Sequence, residues 1–127
     1  MDTRLPDEIT IHLVNKEKIS ELHAQYFSDP TPTDCISFPL NSIDDTSCGY
    51  LHLGEVFVCP EVAIEYATSH NIPPLQECIL YTIHGILHLL GYDDIDEEDR
   101  QKMRKAEERC MKAFFDCTKD SSFCLIQ

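Results

Sequence analysis

The segment His84-Gly85-Ile86-Leu87-His88-Leu89-Leu90-Gly91-Tyr92-Asp93-Asp94 constrains this 127-residue chain more than any other stretch. Histidines four residues apart share one helical face, about 6 Å apart along the axis at a 1.5 Å rise per residue, so both imidazoles can reach one metal ion. That is half of a zinc site. Gly91 stands where a helix closes by turning left-handed, and the reversal it permits can return Asp94 to the histidines as a third ligand. Three protein ligands leave a fourth position open, which marks a catalytic rather than a structural zinc centre.

Each of these residues also has a plainer explanation. A single histidine on an apolar helix is ordinarily a satisfied core residue, but two among Ile79, Leu80, Ile83, Leu87 and Leu90 would each need a buried partner. Asp94 could instead favour the positive end of a helix expected to start near Asp96. Asp93 reads as a group behind the ligands, hydrogen-bonding one of them or the turn.

The stretch resembles the signature of the YbeY family of bacterial rRNA-maturation endoribonucleases, His-Gly-x-Leu-His-Leu-x-Gly-Tyr-Asp-His. Register is unbroken from His84 to Asp93, and Asp94 stands at the family's third histidine. Thr33-Asp34-Cys35-Ile36-Ser37-Phe38-Pro39 is similar to the family's Thr-Asp-Val-Leu-Ser-Phe-Pro, and Leu53-Gly54-Glu55-Val56 looks like its Leu-Gly-Asp-Ile. The family carries an arginine shortly before the first of these segments, where an ungapped comparison places Phe27. Such an arginine would stabilise phosphate charge in the transition state, an interaction typically worth about 3 kcal/mol.

The resemblance covers about residues 8 to 112. It implies a single-strand-specific, metal-dependent endoribonuclease of the cytoplasm, acting in rRNA maturation and ribosome quality control, with rRNA or the small ribosomal subunit as its partner. It implies one Zn²⁺ held by His84, His88 and Asp94, although a carboxylate ligand also admits other divalent metals. Glu55 and Asp93 are the candidate catalytic carboxylates. A noncatalytic ribosome-assembly factor is the alternative, binding a ribosomal protein or GTPase. A zinc peptidase fits less well, because Gly85 occupies the position where a His-Glu-x-x-His enzyme needs its general base.

Length and charge set outer limits. The chain fits a single domain over 1–127 with one core, and its tail beyond about Thr118 is expected to be loosely held. No stretch approaches the roughly 20 apolar residues of a membrane span. A net charge of −13 argues against a generic polyanion binder. No lysine or arginine falls between Lys18 and Arg100, whereas Arg100, Lys102, Arg104, Lys105, Arg109 and Lys112 crowd the next segment. That basic face could hold RNA, or it could be an ordinary solvated helix. Seven cysteines, an odd number without paired spacing, read as free thiols serving as small hydrophobes.

Periodicity completes the expected architecture. Ile9, Ile11 and Leu13 alternate with Thr10 and His12, which predicts a half-buried strand with His12 on its outer face. Ile19, Leu22, Tyr26 and Phe27 predict an amphipathic helix from Lys16 to about Ser28, with the apolar stripe in the core. Residues 33–39 predict a short strand, 41–49 a polar loop, and Leu51 to Val58 a strand interrupted at Gly54-Glu55. Pro60 opens one helix and Pro73-Pro74 the next, about Leu75 to Leu90, apolar round most of its circumference. Met103, Ala106, Cys110, Ala113, Phe114 and Cys117 are the expected inner stripe of the last helix. The fold class is α/β (α+β): a small mixed sheet of three or four strands packed by helices, with a buried metal-bearing central helix.

Overall fold

The computed structural model describes residues 5–41 and 49–118. In chain order they form β1 (Glu8–Leu13), α1 (Lys16–Phe27), β2 (Cys35–Pro39), β3 (His52–Val58), α2 (Pro60–His70), α3 (Pro74–Leu89) and α4 (Glu97–Thr118). The sheet has three strands in the order β1-β3-β2, with β1 parallel and β2 antiparallel to central β3. This is the mixed α+β architecture expected, at the lower strand count. Most of the polar loop expected over 41–49, the tail beyond Thr118, and Cys48 and Cys124 lie outside the described residues.

Strand β3 is the centre of the core because both of its faces are covered. Val56 and Val58 are fully buried and pack with Leu53 and with Leu89 of α3. On the other side, Phe57 joins Ile19 and Leu22 of α1 and Ile36 of β2. A strand covered on both faces loses its simple alternation, which explains its mixed periodicity. The strand runs unbroken through the interruption expected at Gly54-Glu55, but its pairing with β1 shifts register just before Gly54, where Leu53 is the extra residue. Gly54 instead lets neighbours come close: a Cβ there would lie 2.5 Å from the Phe38 carbonyl oxygen and 2.8 Å from Leu89 Cδ2.

Edge strand β1 departs from its expected facing. Ile11 and Leu13 are exposed, whereas Thr10 and His12 are half-buried. The His12 ring stacks on Phe57 with centroids 4.3 Å apart. Helix α3 meets β2 and β3 rather than this edge, so of the apolar residues on that face Ile9 reaches the Leu53 and Leu89 cluster while Ile11 and Leu13 remain exposed. A similar limit applies to α1, where Ile19 and Leu22 are buried but Tyr26 and Phe27, near its end, are more than half exposed.

Helix α3 is less enclosed than its composition suggests. Glu77, Gly85, Leu87 and Leu89 are buried, most other positions are half-buried, and Leu75 in the first turn is exposed. Its neighbours are the sheet, α2 and α4. Asp96 starts α4, its carboxylate accepting the Asp99 N–H at 2.8 Å. Met103 and Ala106 bury against Leu87, and Cys110 packs beside them. Ala113 and Cys117 are exposed, so the inner stripe fades along the helix. The physical reason is length: α4 has 22 residues against 16 in α3. Its last turns outrun the support.

Candidate metal centre

The end of α3 builds the site by local rules. Gly91 adopts φ +106°, the Gly91 N–H donates to the His88 carbonyl at 3.1 Å, and the Tyr92 N–H donates to the Leu87 carbonyl at 3.0 Å. This pair of bonds is a Schellman closure, accompanied by apolar packing of Tyr92 near Leu87. The reversal returns Asp94 to the helix face bearing His84 and His88. Asp94 Oδ2 lies 3.4 Å from His84 Nε2 and 3.6 Å from His88 Nε2. The two Nε2 atoms are 3.0 Å apart. Among the described residues no other trio of histidine, cysteine, aspartate or glutamate brings donors within 4.8 Å of one another.

The outer ring nitrogens are held from behind. His84 Nδ1–H donates to Glu107 Oε2 at 2.5 Å, and His88 Nδ1–H donates to the Tyr92 carbonyl at 3.1 Å. Both acceptors lack protons of their own, so each fixes the tautomer that leaves an Nε2 lone pair facing inward. The Glu107 hydrogen bond holds His84 above the ordinary histidine range, against the desolvation that opposes it. Asp93 has a related role, since its Oδ1 accepts the Asp94 N–H at 2.8 Å and braces the turn.

This donor set fits a small divalent cation. Two Nε2 lone pairs and one carboxylate oxygen converge, and two histidines with a carboxylate form a competent catalytic zinc set. Donors about 2.0–2.2 Å from a tetrahedral ion would stand about 3.3–3.6 Å apart, close to the separations found here.

Glu55 does not join the site. Strand alternation turns it away from α3: its neighbour Val56 is the residue that a Cβ on Gly85 would strike. Glu55 accepts a hydrogen bond from His12 Nε2 at 2.8 Å instead. The expected candidate base is thus separated from the histidines by the sheet. Glu107, in turn, carried no motif signal. Its only trace is helical spacing from Met103 and Ala106, which places it beside the apolar stripe that meets α3.

Gly85 explains how α3 lies so close to the sheet. A side chain there would run into Val56, and the Ser37 hydroxyl donates to the Gly85 carbonyl at 2.8 Å. The position faces the sheet, so a glutamate placed there would point away from His84, His88 and Asp94. A groove beside His88 is lined by His23, Phe27, Cys35 and Ser37. Burial pushes the Cys35 thiol far up, with Asp34, Asp94 and Glu107 adding to the effect, so it stays protonated. Cys35, Cys59, Cys78, Cys110 and Cys117 are all free. A second groove, of about 220 Å³, is lined by His84, Asp94, Arg100, Arg104 and Glu107.

The family model described as Endoribonuclease YbeY matches residues 1–115. The chain belongs to the YbeY family. It is 52% identical over 105 residues to Endoribonuclease YbeY of Protochlamydia amoebophila, covering 83% of this chain and 69% of that protein. It is 36% identical over 111 residues to the Beutenbergia cavernae protein of the same name, covering 84% and 74%. The solution structure of TM1509 from Thermotoga maritima superposes with a TM-score of 0.56 at 32% identity, covering 89% of this chain and 75% of that one. Within this YbeY frame, Asp94 and Phe27 are the two departures of interest. Asp94 lies in the donor trio, and Phe27 lines the groove beside His88.

Proposed function

We propose that this chain is a metal-dependent endoribonuclease acting on single-stranded segments of rRNA in the cytoplasm, during ribosome maturation and quality control. Membership of the YbeY family supports the reaction class. The observation that carries the metal dependence is the convergence of His84 Nε2, His88 Nε2 and Asp94 Oδ2, with both outer nitrogens anchored. When bound, Zn²⁺ or a similar ion supplies Lewis acidity to the phosphate and a nucleophile that ionises near neutral pH.

The chain's own residues orient that chemistry. Glu107 and the Tyr92 carbonyl hold the Nδ1 protons of His84 and His88, so neither ring can rotate its lone pair out of the centre. Asp93 keeps the turn closed so that Asp94 stays within reach. The grooves on either side of the histidines give an extended, unpaired strand two approaches to the centre. Unpaired RNA can splay its bases and follow such grooves, which supports the single-strand preference proposed here.

One observation favours a second reading, a noncatalytic ribosome-assembly factor that binds a ribosomal protein or GTPase. Phe27 occupies the place of the family arginine, and its exposed ring can offer packing but no charge. The test is cleavage of structured rRNA fragments by highly purified protein beside His84→Ala. Cleavage by wild type and loss in the variant is the expected result. Equal residual cleavage in both would assign the activity to a contaminant and leave the binding factor.

A further inference from the structure

We propose that Arg104 is the cation that meets an RNA phosphate at this site, a role taken up from α4 on the side of the centre opposite Phe27. The inference rests on the endoribonuclease reading and extends it to a substrate contact. The groove that opens on His84 and Asp94 is walled by α4, which presents Arg100, Arg104 and Glu107 at successive turns of one face. Their duties differ. Glu107 is committed to His84 at 2.5 Å. Arg100 is committed as well, donating to the Ile95 carbonyl at 2.8 Å and to Glu97 Oε2 at 2.9 Å.

Arg104 is exposed and makes no hydrogen bond or ion pair among the described residues. It therefore lines the groove with its donors unspent. A guanidinium is the side chain best matched to a phosphate, because its planar fork can donate twice to neighbouring oxygens. The surrounding charge gives the contact its selectivity. With a net charge of −13 the chain repels polyanions in general. One uncommitted arginine beside the metal ligands offers a phosphate a foothold where cleavage would occur. Lys and Arg are absent from Ile19 to Asp99, and the groove beside His88 has no lysine or arginine in its lining to offer instead.

Arg109 provides the control. It is also exposed on α4, but nine residues beyond Arg100 at about 100° per residue places it on the opposite side of the helix. Affinity for a single-stranded oligoribonucleotide would be measured against salt for metal-loaded wild type, Arg104→Ala and Arg109→Ala, together with cleavage kinetics. Arg104→Ala is expected to weaken binding, reduce the salt slope by about 0.7 and lower kcat/KM by about 10²-fold, at unchanged metal content. Arg109→Ala is expected to change neither slope nor rate. If both variants show the same slope and affinity while cleavage still requires His84, this inference falls and the nuclease reading stands. If wild type and His84→Ala cleave equally but the Arg104 signature remains, the nuclease reading falls and the phosphate contact stands. Failure of wild type to bind the RNA would overturn both.

Discussion

Glu107 Oε2 and His84 Nδ1 lie 2.5 Å apart although 23 residues separate them in sequence. The contact ties α4 to the ring whose other nitrogen faces Asp94 and His88. Packing of two helices thereby sets the orientation of a candidate metal ligand.

Glu107→Gln is expected to weaken zinc binding about 10- to 100-fold, the usual effect of losing a carboxylate behind a histidine ligand. Metal would still bind at saturating concentration, in contrast to His84→Ala, His88→Ala and Asp94→Ala, each of which should lose about one equivalent. Competition with a chromophoric chelator measures the affinities, and elemental analysis the content. Chelating the wild-type metal should also lower Tm, because a ligand bound only to the folded state stabilises it. Identical affinity in wild type and Glu107→Gln would remove Glu107 from the centre.

Gly85→Ala is expected to destabilise the protein by about 1–3 kcal/mol through overpacking, despite the better helix propensity of alanine. The added methyl would sit against Val56, a fully buried residue. In a denaturant series, Gly85→Ala with Val56→Ala should cost less than the sum of the single changes, since the second removes the collision. Strict additivity would mean that α3 does not rest on Val56 at this point.

Gly91→Ala tests backbone conformation without crowding, because among the described residues no atom beyond its chain neighbours lies within 4 Å of where the Cβ would be. At φ +106° an L side chain is strained, at a cost of about 1–2 kcal/mol. The turn carries both the Tyr92 carbonyl and Asp94, so metal affinity should fall together with stability. A variant that lost stability but kept full zinc affinity would uncouple the Schellman closure from the ligand set.

The Tyr50 hydroxyl donates to Glu8 at 2.8 Å, and this bond, followed by the nearby His52, holds the Glu8 carboxyl below the ordinary carboxylate range. A carboxyl lowered in the folded state contributes stability above its unfolded value, and that contribution disappears as pH falls through the lowered one. The groups are at the surface, so the effect on stability is small. NMR titration of Glu8 should show a lower midpoint in wild type than in Tyr50→Phe. Coincident curves would mean that the hydrogen bond does not persist in solution.

The sequence by itself determined the parts of this protein that depend on near neighbours. The i, i+4 histidines, the left-handed Gly91, the return of Asp94 and the Asp96 start of α4 all follow from helix period and turn chemistry, which operate within a few residues. The proline starts of α2 and α3 belong to the same group. Tertiary structure decided the rest, because facing and coverage depend on what a distant element lies against. Ile11 and Leu13 alternate as core residues should, yet α3 covers β2 and β3 and leaves the β1 edge open. Glu55 is turned to the far face by its strand register, where His12 takes it up. Glu107 reaches His84, and Arg104 the groove beside it, only because α4 packs against α3. Local periodicity says which side chains share a face; only the docking of helix on helix and helix on sheet decides what that face will meet.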